Sequence, residues 1–152
     1  MKYLLLILAL LGVTASCLAL REHYREAGDS PCSINAHWDC GIVNHSPFAT
    51  LDGILRPSAI EPNASLRKIP VAAIGILGYI LMAALAFTRS YRMLLAATLA
   101  GLGFSLYLAH IEKDILQVWC IYCVISLGII SLMSLLTLGT VITEGRRAAR
   151  VR

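Results

Sequence analysis

The stretch VWCIYCVISLGIISLMSLLTLGTVI, residues 118–142, decides the fold of this 152-residue chain. It contains no Asp, Glu, Lys or Arg, and it is longer than the roughly 20 mostly apolar residues that a membrane-spanning helix needs. Three earlier runs, 3–20, 71–87 and 93–111, also lack these four residue types. Charged residues make up 14% of the chain, against about 25% in soluble domains. We therefore expect an all-α integral membrane protein.

The expected architecture is one domain that forms a four-helix bundle in the membrane. A long extracytoplasmic loop joins the first two helices and carries a short amphipathic helix. The predicted helices lie at about 3–20, 70–88, 93–111 and 118–142, with the loop at 21–69 and the domain over 1–152.

The first apolar run has a second interpretation. MKYLLLILALLGVTASC has a lysine, an apolar core and small residues before Cys17, which is typical of a cleaved secretory signal. It also approximates the processing site of a bacterial lipoprotein. The apolar character continues through residues 18–20, which makes the run long enough to span a membrane. We favour a retained helix over a cleaved signal.

Basic residues indicate how the helices are oriented. One side would hold both termini and the turn between the second and third runs, with seven basic residues and one acid, Glu144. The other side would hold six basic residues, Arg21 and Arg25 among them, and eight of the nine acids. Because basic residues accumulate in short cytoplasmic segments, we expect both termini in the cytoplasm. The net charge of +4 follows from this topology and indicates no nucleic-acid surface.

Four of the five cysteines then fall on the extracytoplasmic side, where disulfides form and persist. Cys32 and Cys40 lie in the long loop, and Cys120 and Cys123 open the fourth helix just past EKDILQ, which is predicted to be a short loop. Four cysteines allow three pairings, and their positions favour Cys32–Cys40 and Cys120–Cys123. Cys17 lies in the first helix and is interpreted as an apolar filler.

The spacing in WCIYC suits redox chemistry. Residues three apart share one face of a helix, and a thiol at a helix start meets unsatisfied N–H groups and the positive end of the dipole. Both favour the thiolate, which is the species that exchanges with disulfides. A single CxxC in an apolar helix arises easily by chance, but a second cysteine pair on the same side favours a redox function.

A metal site is the other chemical alternative. CSINAHWDCGIVNH offers Cys32, His37, Cys40 and His45, and thiolate with imidazole suits zinc. The gaps between these residues match no compact zinc motif. We therefore favour redox chemistry and expect no metal ligands.

The long loop is predicted to contain a short helix over SPFATLDGIL. Ser46 stands at the N-cap and Pro47 at the first helical position, followed by Phe48 and two leucines at helical spacing. Such a helix would lie on the membrane and cover a cavity between the spanning helices. Ser46 is either a plain cap or a polar group facing that cavity. The segment 56–70, with three prolines, is predicted to be irregular, and Pro70 to open the second helix.

Two polar residues lie near the end of the third helix. Tyr107 and His110 are three apart, share one helix face, and lie close to the depth of Cys120. They are either interfacial residues, which are common at helix ends, or functional groups at membrane depth.

These features together resemble the vitamin K epoxide reductase family, in particular its bacterial disulfide-forming members. The chain has one spanning helix, two loop cysteines separated by seven residues, a serine six residues after the second, and three helices of which the last opens with CxxC. IPVAAIGILGY is similar to the start of that family's second helix, and SLYLAHIEKDILQVWCIYC to its third-helix end and active-site motif. The resemblance extends from Cys32 to the end of the fourth helix. A related quinone-linked oxidase of the periplasm carries its CxxC early in the chain instead.

The resemblance implies a quinone-linked thiol:disulfide oxidoreductase that supports disulfide-bond formation at a bacterial inner membrane. A separate periplasmic thioredoxin-like (DsbA-like) partner would reduce Cys32–Cys40, Cys40 would attack Cys120, and Cys123 would deliver electrons to ubiquinone or menaquinone inside the bundle. The quinone-binding residues are expected to be Cys123, Ser46, Phe48, Tyr107 and His110.

The chain departs from the animal enzymes of that family at two positions. Those enzymes hold a naphthoquinone with an Asn near the start of the second helix and a Tyr four residues after CxxC. Val71 and Leu127 occupy these places here, which argues against epoxide reduction and vitamin K specificity and favours ubiquinone or menaquinone. The alternatives are vitamin K quinone or epoxide reduction proper, a metal-binding membrane protein that uses the Cys/His loop, and a non-catalytic assembly factor with a structural disulfide.

Overall fold

A computed structural model describes residues 1–26, 30–35, 37–55 and 69–150 of the chain. Its α-helices are α1 Lys2–His23, α2 Cys40–His45, α3 Leu51–Leu55, α4 Val71–Phe87, α5 Tyr91–His110 and α6 Ile121–Arg150. A 3₁₀ turn at Pro47–Ala49 precedes α3, and a π-helix at Ile111–Leu116 continues α5. Extended pairing within the described residues is limited to isolated bridges. The all-α prediction is confirmed.

The long helices form a bundle with an apolar exterior. The segments Lys2–His23, Tyr91–Leu116 and Ile121–Arg147 are long and apolar enough to cross a membrane, and α4 is a shorter apolar helix of 17 residues. Leu77, Leu99 and Leu135 are exposed on the outside of the bundle. A continuous apolar exterior of this kind requires a bilayer around it, so the chain is a membrane protein, as its composition predicts.

The core lies where α1 packs against α4 and α6, and where α5 packs against α6 and α4. Tyr79, Leu94, Ile130 and Met133 are among its buried side chains. Lipid tails are as apolar as these residues, so close contact between helices has to supply the stabilisation. At Gly12 a side chain would overlap the ring of Tyr79. The small residue on α1 therefore lets Tyr79 of α4 reach the centre of the bundle.

The two ends of the bundle carry different residues and different short elements. Lys2 Nζ lies 4.0 Å from the ring centroid of Phe87, so the start of α1 meets the end of α4. The basic residues Arg89 and Arg92 stand at the turn that follows. The opposite end carries the end of α1, the short helices α2 and α3, and the junction between α5 and α6.

This junction corrects the prediction of a short loop at 112–117. The π-helix continues α5 through Leu116, and Gln117 then ends it with φ 56°. EKDIL contains no Gly or Pro that would stop a helix, so its polar residues mark a helix leaving the membrane. As a result α6 begins later than predicted, at Ile121, and Cys120 immediately precedes it.

The single helix predicted over SPFATLDGIL is also wrong. Thr50 is extended and forms an isolated bridge with Pro70, and Leu51 N–H donates to Ile69 O at 3.0 Å. This pairing divides the segment into the 3₁₀ turn and α3. Pro70 stands directly before α4, as predicted. The predicted irregular segment falls, over 56–68, outside the described residues.

Candidate active site

A short parallel β-bridge joins the long loop to the start of α6. Trp38 pairs with Trp119, Asp39 N–H donates to Trp119 O at 3.1 Å, and Trp119 N–H donates to His37 O at 2.8 Å. The two tryptophan rings lie beside each other with centroids 6.5 Å apart. The bridge fixes the residues that follow Asp39 and Trp119 next to each other.

Those residues are Cys40 and Cys120, and both side chains are 0% exposed. They belong to one buried group with Cys32, Val43 and Val118, called here the cysteine cluster. Cys40 and Cys120, which are 80 positions apart in the chain, are thereby buried in the same cluster. The cluster brings the two predicted cysteine pairs together.

The two cysteine pairs differ in the structure. Cys32 and Cys40 form a disulfide, with their Cα atoms 5.7 Å apart, which is the pairing expected from their positions. Cys120 and Cys123 carry free thiols, and Cys123 lies in the first turn of α6, partly buried against the cysteine cluster. Cys17 is free and exposed on α1.

Asp39 holds the start of α2 beside this disulfide. Its Oδ1 accepts a hydrogen bond from Ile42 N–H at 3.1 Å, which caps the helix. Partial burial raises the pKa of Asp39, but hydrogen bonds from the Ser33 side chain and from the N–H groups of Ile42 and Gly41 outweigh it, so the pKa is lowered overall. A charged cap at neutral pH therefore keeps Cys40 at the first position of α2.

Asn44 links the two cysteine pairs. Its side chain is 7% exposed, and its Nδ2 donates to Cys40 O at 2.9 Å and lies 3.6 Å from Cys120 Sγ. His23 at the end of α1 donates from Nδ1 to Asn44 O at 2.6 Å, which anchors α2 to the bundle. In the sequence, Asn44 stands out only as part of NHS, a formal glycosylation sequon. The signal that sequence reasoning missed is that Asn44 follows Cys40 by four residues on a helix.

Glu112 is the second polar residue that sequence reasoning missed, because EKDILQ was expected to be an exposed loop. Its side chain is 3% exposed, and its Oε2 accepts the N–H of Cys120 at 3.1 Å. The carboxyl group also lies close to the Cys123 thiol, and both residues line the same cavity. Helical spacing offers a signal, since Ser105, Leu108 and Glu112 follow one face of α5 and all line the same cavity.

The environment of Cys120 favours its thiolate. A hydrogen bond with the Cys123 thiol lowers the pKa of Cys120, and this outweighs the opposing effects of burial and of the nearby Glu112 carboxylate. The contact with Asn44 Nδ2 places a further donor at the same sulfur. Cys120 is therefore a good leaving group in disulfide exchange, because thiols of lower pKa leave faster.

A cavity of about 410 Å³ lies between the four long helices at the cysteine end of the bundle. The segment 43–49 covers it, and its walls are mostly apolar. Cys123 lines this cavity, whereas Cys32, Cys40 and Cys120 are not in its walls. Of the four cysteines in the two pairs, Cys123 is therefore the one that reaches the cavity.

A pair of polar groups lies on the wall of the same cavity. Tyr79 OH donates to Ser126 O at 3.0 Å and lies 2.9 Å from Ser126 Oγ. Ser126 follows Cys123 by three residues on α6, so both lie on one helix face. The tyrosine hydroxyl is thus held one helical turn from the thiol.

Two of the predicted quinone contacts, Ser46 and Phe48, line the cavity. Ser46 Oγ donates to Val43 O at 2.7 Å and makes no side-chain cap to the 3₁₀ turn. This position matches the interpretation of Ser46 as a polar group that faces a cavity, and not the interpretation as a plain helix cap. Phe48 is half-buried and adds an aromatic ring to the cover.

The other two predicted contacts, Tyr107 and His110, lie outside the cavity lining. Tyr107 is 43% exposed, and His110 Nδ1 lies 2.6 Å from Asp114 Oδ2 in an exposed pair. Their shared helix face is not the face that carries Leu108 and Glu112. The structure does not bring them to Cys123.

The two residues that differ from those of the animal enzymes both lie in apolar surroundings. Val71 lines the cavity at the start of α4, and Leu127 packs against the bundle core.

The alternative metal ligands are not assembled. The sulfur atoms of Cys32 and Cys40 are bonded to each other. His45 hydrogen-bonds with Gly41 O and Arg25 O, both at 2.8 Å. Across the part of the chain that the structure describes, no group of three or more His, Cys, Asp or Glu side chains could hold a metal ion.

Comparison with known proteins identifies one family. A sequence model described as the vitamin K epoxide reductase family matches residues 3–138. This range includes both cysteine pairs and most of the length of the bundle. No curated protein matches the chain.

Proposed function

The chain belongs to the vitamin K epoxide reductase family and is a membrane thiol oxidoreductase of that kind, and we propose that it re-oxidises a separate periplasmic thioredoxin-like (DsbA-like) protein with a membrane quinone as electron acceptor. One observation carries the proposal. Cys123 lines the apolar cavity, while Cys40 and Cys120 lie together in the buried cysteine cluster. Electrons therefore have a route from a loop disulfide to an apolar pocket.

The first half of the relay is an exchange with the partner. A thiolate of the reduced partner attacks Cys32, and Cys40 leaves as a thiolate. The partner's second thiol then attacks the mixed disulfide, so the partner leaves oxidised and Cys32 is released as a thiol. Cys32 is itself buried at 6% exposure, but Ser33 and Ile34, which follow it, are exposed, whereas Cys40 is 0% exposed. This difference supports attack at Cys32.

The second half is an exchange between the two pairs. Cys40 attacks Cys120 of the Cys120–Cys123 disulfide, and Cys123 leaves. Cys32 then attacks Cys40, the loop disulfide re-forms, and Cys120 leaves as the thiolate that its lowered pKa and Asn44 favour. The products are a bonded loop pair and two free thiols at the start of α6.

The cavity suits a quinone as the final acceptor. Its volume of about 410 Å³ is within the range of roughly 300–1,000 Å³ for small-molecule sites. A bound quinone accepts two electrons and two protons as the Cys120–Cys123 disulfide re-forms. Ser46, Phe48, Asn44 and Tyr79 are the residues that we propose hold its ring. The apolar Val71 and Leu127 argue against epoxide reduction and vitamin K specificity, so ubiquinone or menaquinone is the proposed acceptor.

The proposed location is a bacterial inner membrane, with both termini in the cytoplasm and the cysteines on the periplasmic side. The basic end, marked by the Lys2–Phe87 contact, lies opposite the cysteine cluster, as the positive-inside rule requires. Leu5 and Ala9 of α1 are fully buried in the bundle core. This packing supports retention of the first helix, because its cleavage would open the core.

The direct test is Cys123→Ala in purified protein, with a reduced thioredoxin-like protein as electron donor and short-chain ubiquinone as acceptor. Quinol formation should stop, because the sulfur that faces the cavity is lost. Cys17→Ala is the matched control, since it removes a free cysteine that is exposed on α1, and it should leave the rate unchanged. Undiminished quinol formation by Cys123→Ala would contradict the proposal.

A further inference from the structure

Glu112 lies between the CxxC and the cavity, yet the electron path does not use it. It stands on the π-helix that continues α5 and lines the cavity with Cys123. Its Oε2 accepts the N–H of Cys120 at 3.1 Å, and its carboxyl group lies close to the Cys123 thiol on the wall of the same cavity. One side chain thus contacts both cysteines of the CxxC and the space where a quinone would bind.

A carboxyl group at this position is costly unless something compensates for its burial. Buried carboxylates are normally paired with a cation, but no ion pair between the residues described by the structure includes Glu112. Its partners are a backbone N–H and a thiol. An apolar side chain would fill the same space without the cost, so an ionisable residue at membrane depth indicates a function.

The chemistry of the site requires movement of protons as well as electrons. Oxidation of the Cys120–Cys123 dithiol releases two electrons and two protons, and conversion of a quinone to a quinol consumes two of each. The Cys123 thiol loses its proton at the edge of a mostly apolar cavity. A carboxylate within hydrogen-bonding distance can accept that proton and can pass it on as a carboxylic acid.

We propose that Glu112 is a catalytic proton carrier: its carboxylate takes the proton of the Cys123 thiol as the Cys120–Cys123 disulfide forms, and then gives it to an oxygen of the quinone in the cavity. In the opposite direction the acid protonates Cys123 when Cys40 attacks Cys120. Each turnover thus moves one proton through Glu112 to the quinone, and the carboxylate takes up one proton from solvent before the next exchange. The second proton of the quinol also comes from solvent, because Cys120 is a thiolate. The quinone step rests on the proposed function, whereas the exchange with Cys123 does not.

Glu112→Gln separates this role from a purely structural one. Glutamine keeps an oxygen that can accept the N–H of Cys120, but it cannot carry a proton. Asp114→Asn is the matched control, because it removes a carboxyl group from the same π-helix at an exposed position paired with His110. Asp114→Asn should leave the rate unchanged in both of the assays described next.

Two assays measure the effect. In steady state with short-chain ubiquinone, Glu112→Gln should lower the rate of quinol formation by about 10²–10⁴-fold, the usual contribution of a general acid or base. In a quinone-free single turnover, Cys32 and Cys40 are reduced, the CxxC is left oxidised, and alkylation at successive times follows the exchange by mass spectrometry. Glu112→Gln should also slow this exchange by about tenfold or more, because Cys123 is protonated more slowly as it leaves.

The pH dependence distinguishes proton transfer from positioning. The other titratable groups at the site are Cys120, Cys123 and Tyr122 near the start of α6, Tyr79 on α4 and His23 on α1. All are present in both proteins. The Glu112 carboxylate raises the pKa of Cys120, so the thiolate fraction of Cys120 is measured in each protein by alkylation and divided out of the ratio of variant to wild-type rates. That ratio should rise from about pH 6 to about pH 9, because hydroxide increasingly replaces the carboxylate as proton acceptor.

Three results would overturn the proposal: a rate for Glu112→Gln within about twofold of wild type in both assays, a loss whose ratio to wild type is the same at every pH, or an equal loss in Asp114→Asn. If the wild-type protein forms no quinol, the proposed function fails instead. The quinone-free exchange then still decides whether Glu112 acts on Cys123.

Discussion

The two cysteine pairs are held by different kinds of structure. The loop pair depends on short elements, namely the six-residue helix α2 and the single bridge between Trp38 and Trp119. The other pair opens α6, a 30-residue helix that packs along α5 and α1. Short elements open more easily than long packed ones. The loop pair therefore lies in a part of the molecule that opens more easily, whereas the helix pair is fixed beside the cavity.

The largest effect should come from breaking the connection between the pairs. Cys120→Ser removes the sulfur that Cys40 attacks, so turnover with a reduced partner and ubiquinone should fall below about one thousandth of the wild-type rate. The loop disulfide should still be reduced by the partner, because Cys32 and Cys40 are intact. Quinol absorbance measures the first quantity and thiol alkylation the second. Retained turnover would show that electrons bypass Cys120.

The role of the cavity can be tested with a pair of glycines. A side chain at Gly78 or Gly103 would meet no atom within 4 Å of its first carbon, but only Gly78 lines the cavity. Gly78→Phe should fill the space and raise KM for ubiquinone by about tenfold or more, while exchange between the cysteine pairs continues. Gly103→Phe is the control and should leave KM unchanged. Equal KM values in the two variants would place the quinone elsewhere.

A smaller effect is expected at the contact between the pairs. Asn44→Ala removes the donor beside Cys120 Sγ, and a hydrogen bond to a charged group contributes about 1.5–3 kcal/mol. Exchange from the loop pair to the CxxC should therefore slow by about tenfold, as measured by rapid alkylation. Ile42→Ala, an exposed position on the same helix, should have no such effect. A rate unchanged by Asn44→Ala would remove this residue from the relay.

The sequence predicts the parts of the fold that depend on composition alone. Long runs without charge establish the membrane bundle, and the spacing of the cysteines establishes the loop disulfide. The broken helix over SPFATLDGIL is different, because Thr50 is extended by its bridge to Pro70, a residue 20 positions away. A pattern within ten residues cannot contain that contact.

The polar residues of the site were harder to predict, because burial depends on tertiary contacts. Glu112 and Asp114 are two positions apart in one acidic segment, yet one is buried against Cys120 and the other is exposed beside His110. Asn44 likewise becomes significant only when the bridge places Cys120 beside α2. Tyr107 and His110, chosen for their depth, lie on a face of α5 that is not part of the cavity lining.

The central claim is that two electrons leave the CxxC for a quinone at Cys123. The most direct measurement uses protein with an intact Cys32–Cys40 disulfide and a reduced CxxC, and mixes it with short-chain ubiquinone in the absence of oxygen. Quinol is followed by absorbance and the cysteines by mass spectrometry. The account predicts that quinol appears in step with a Cys120–Cys123 disulfide, one molecule for each disulfide formed. Free Cys120 and Cys123 thiols with the ubiquinone still oxidised would contradict it.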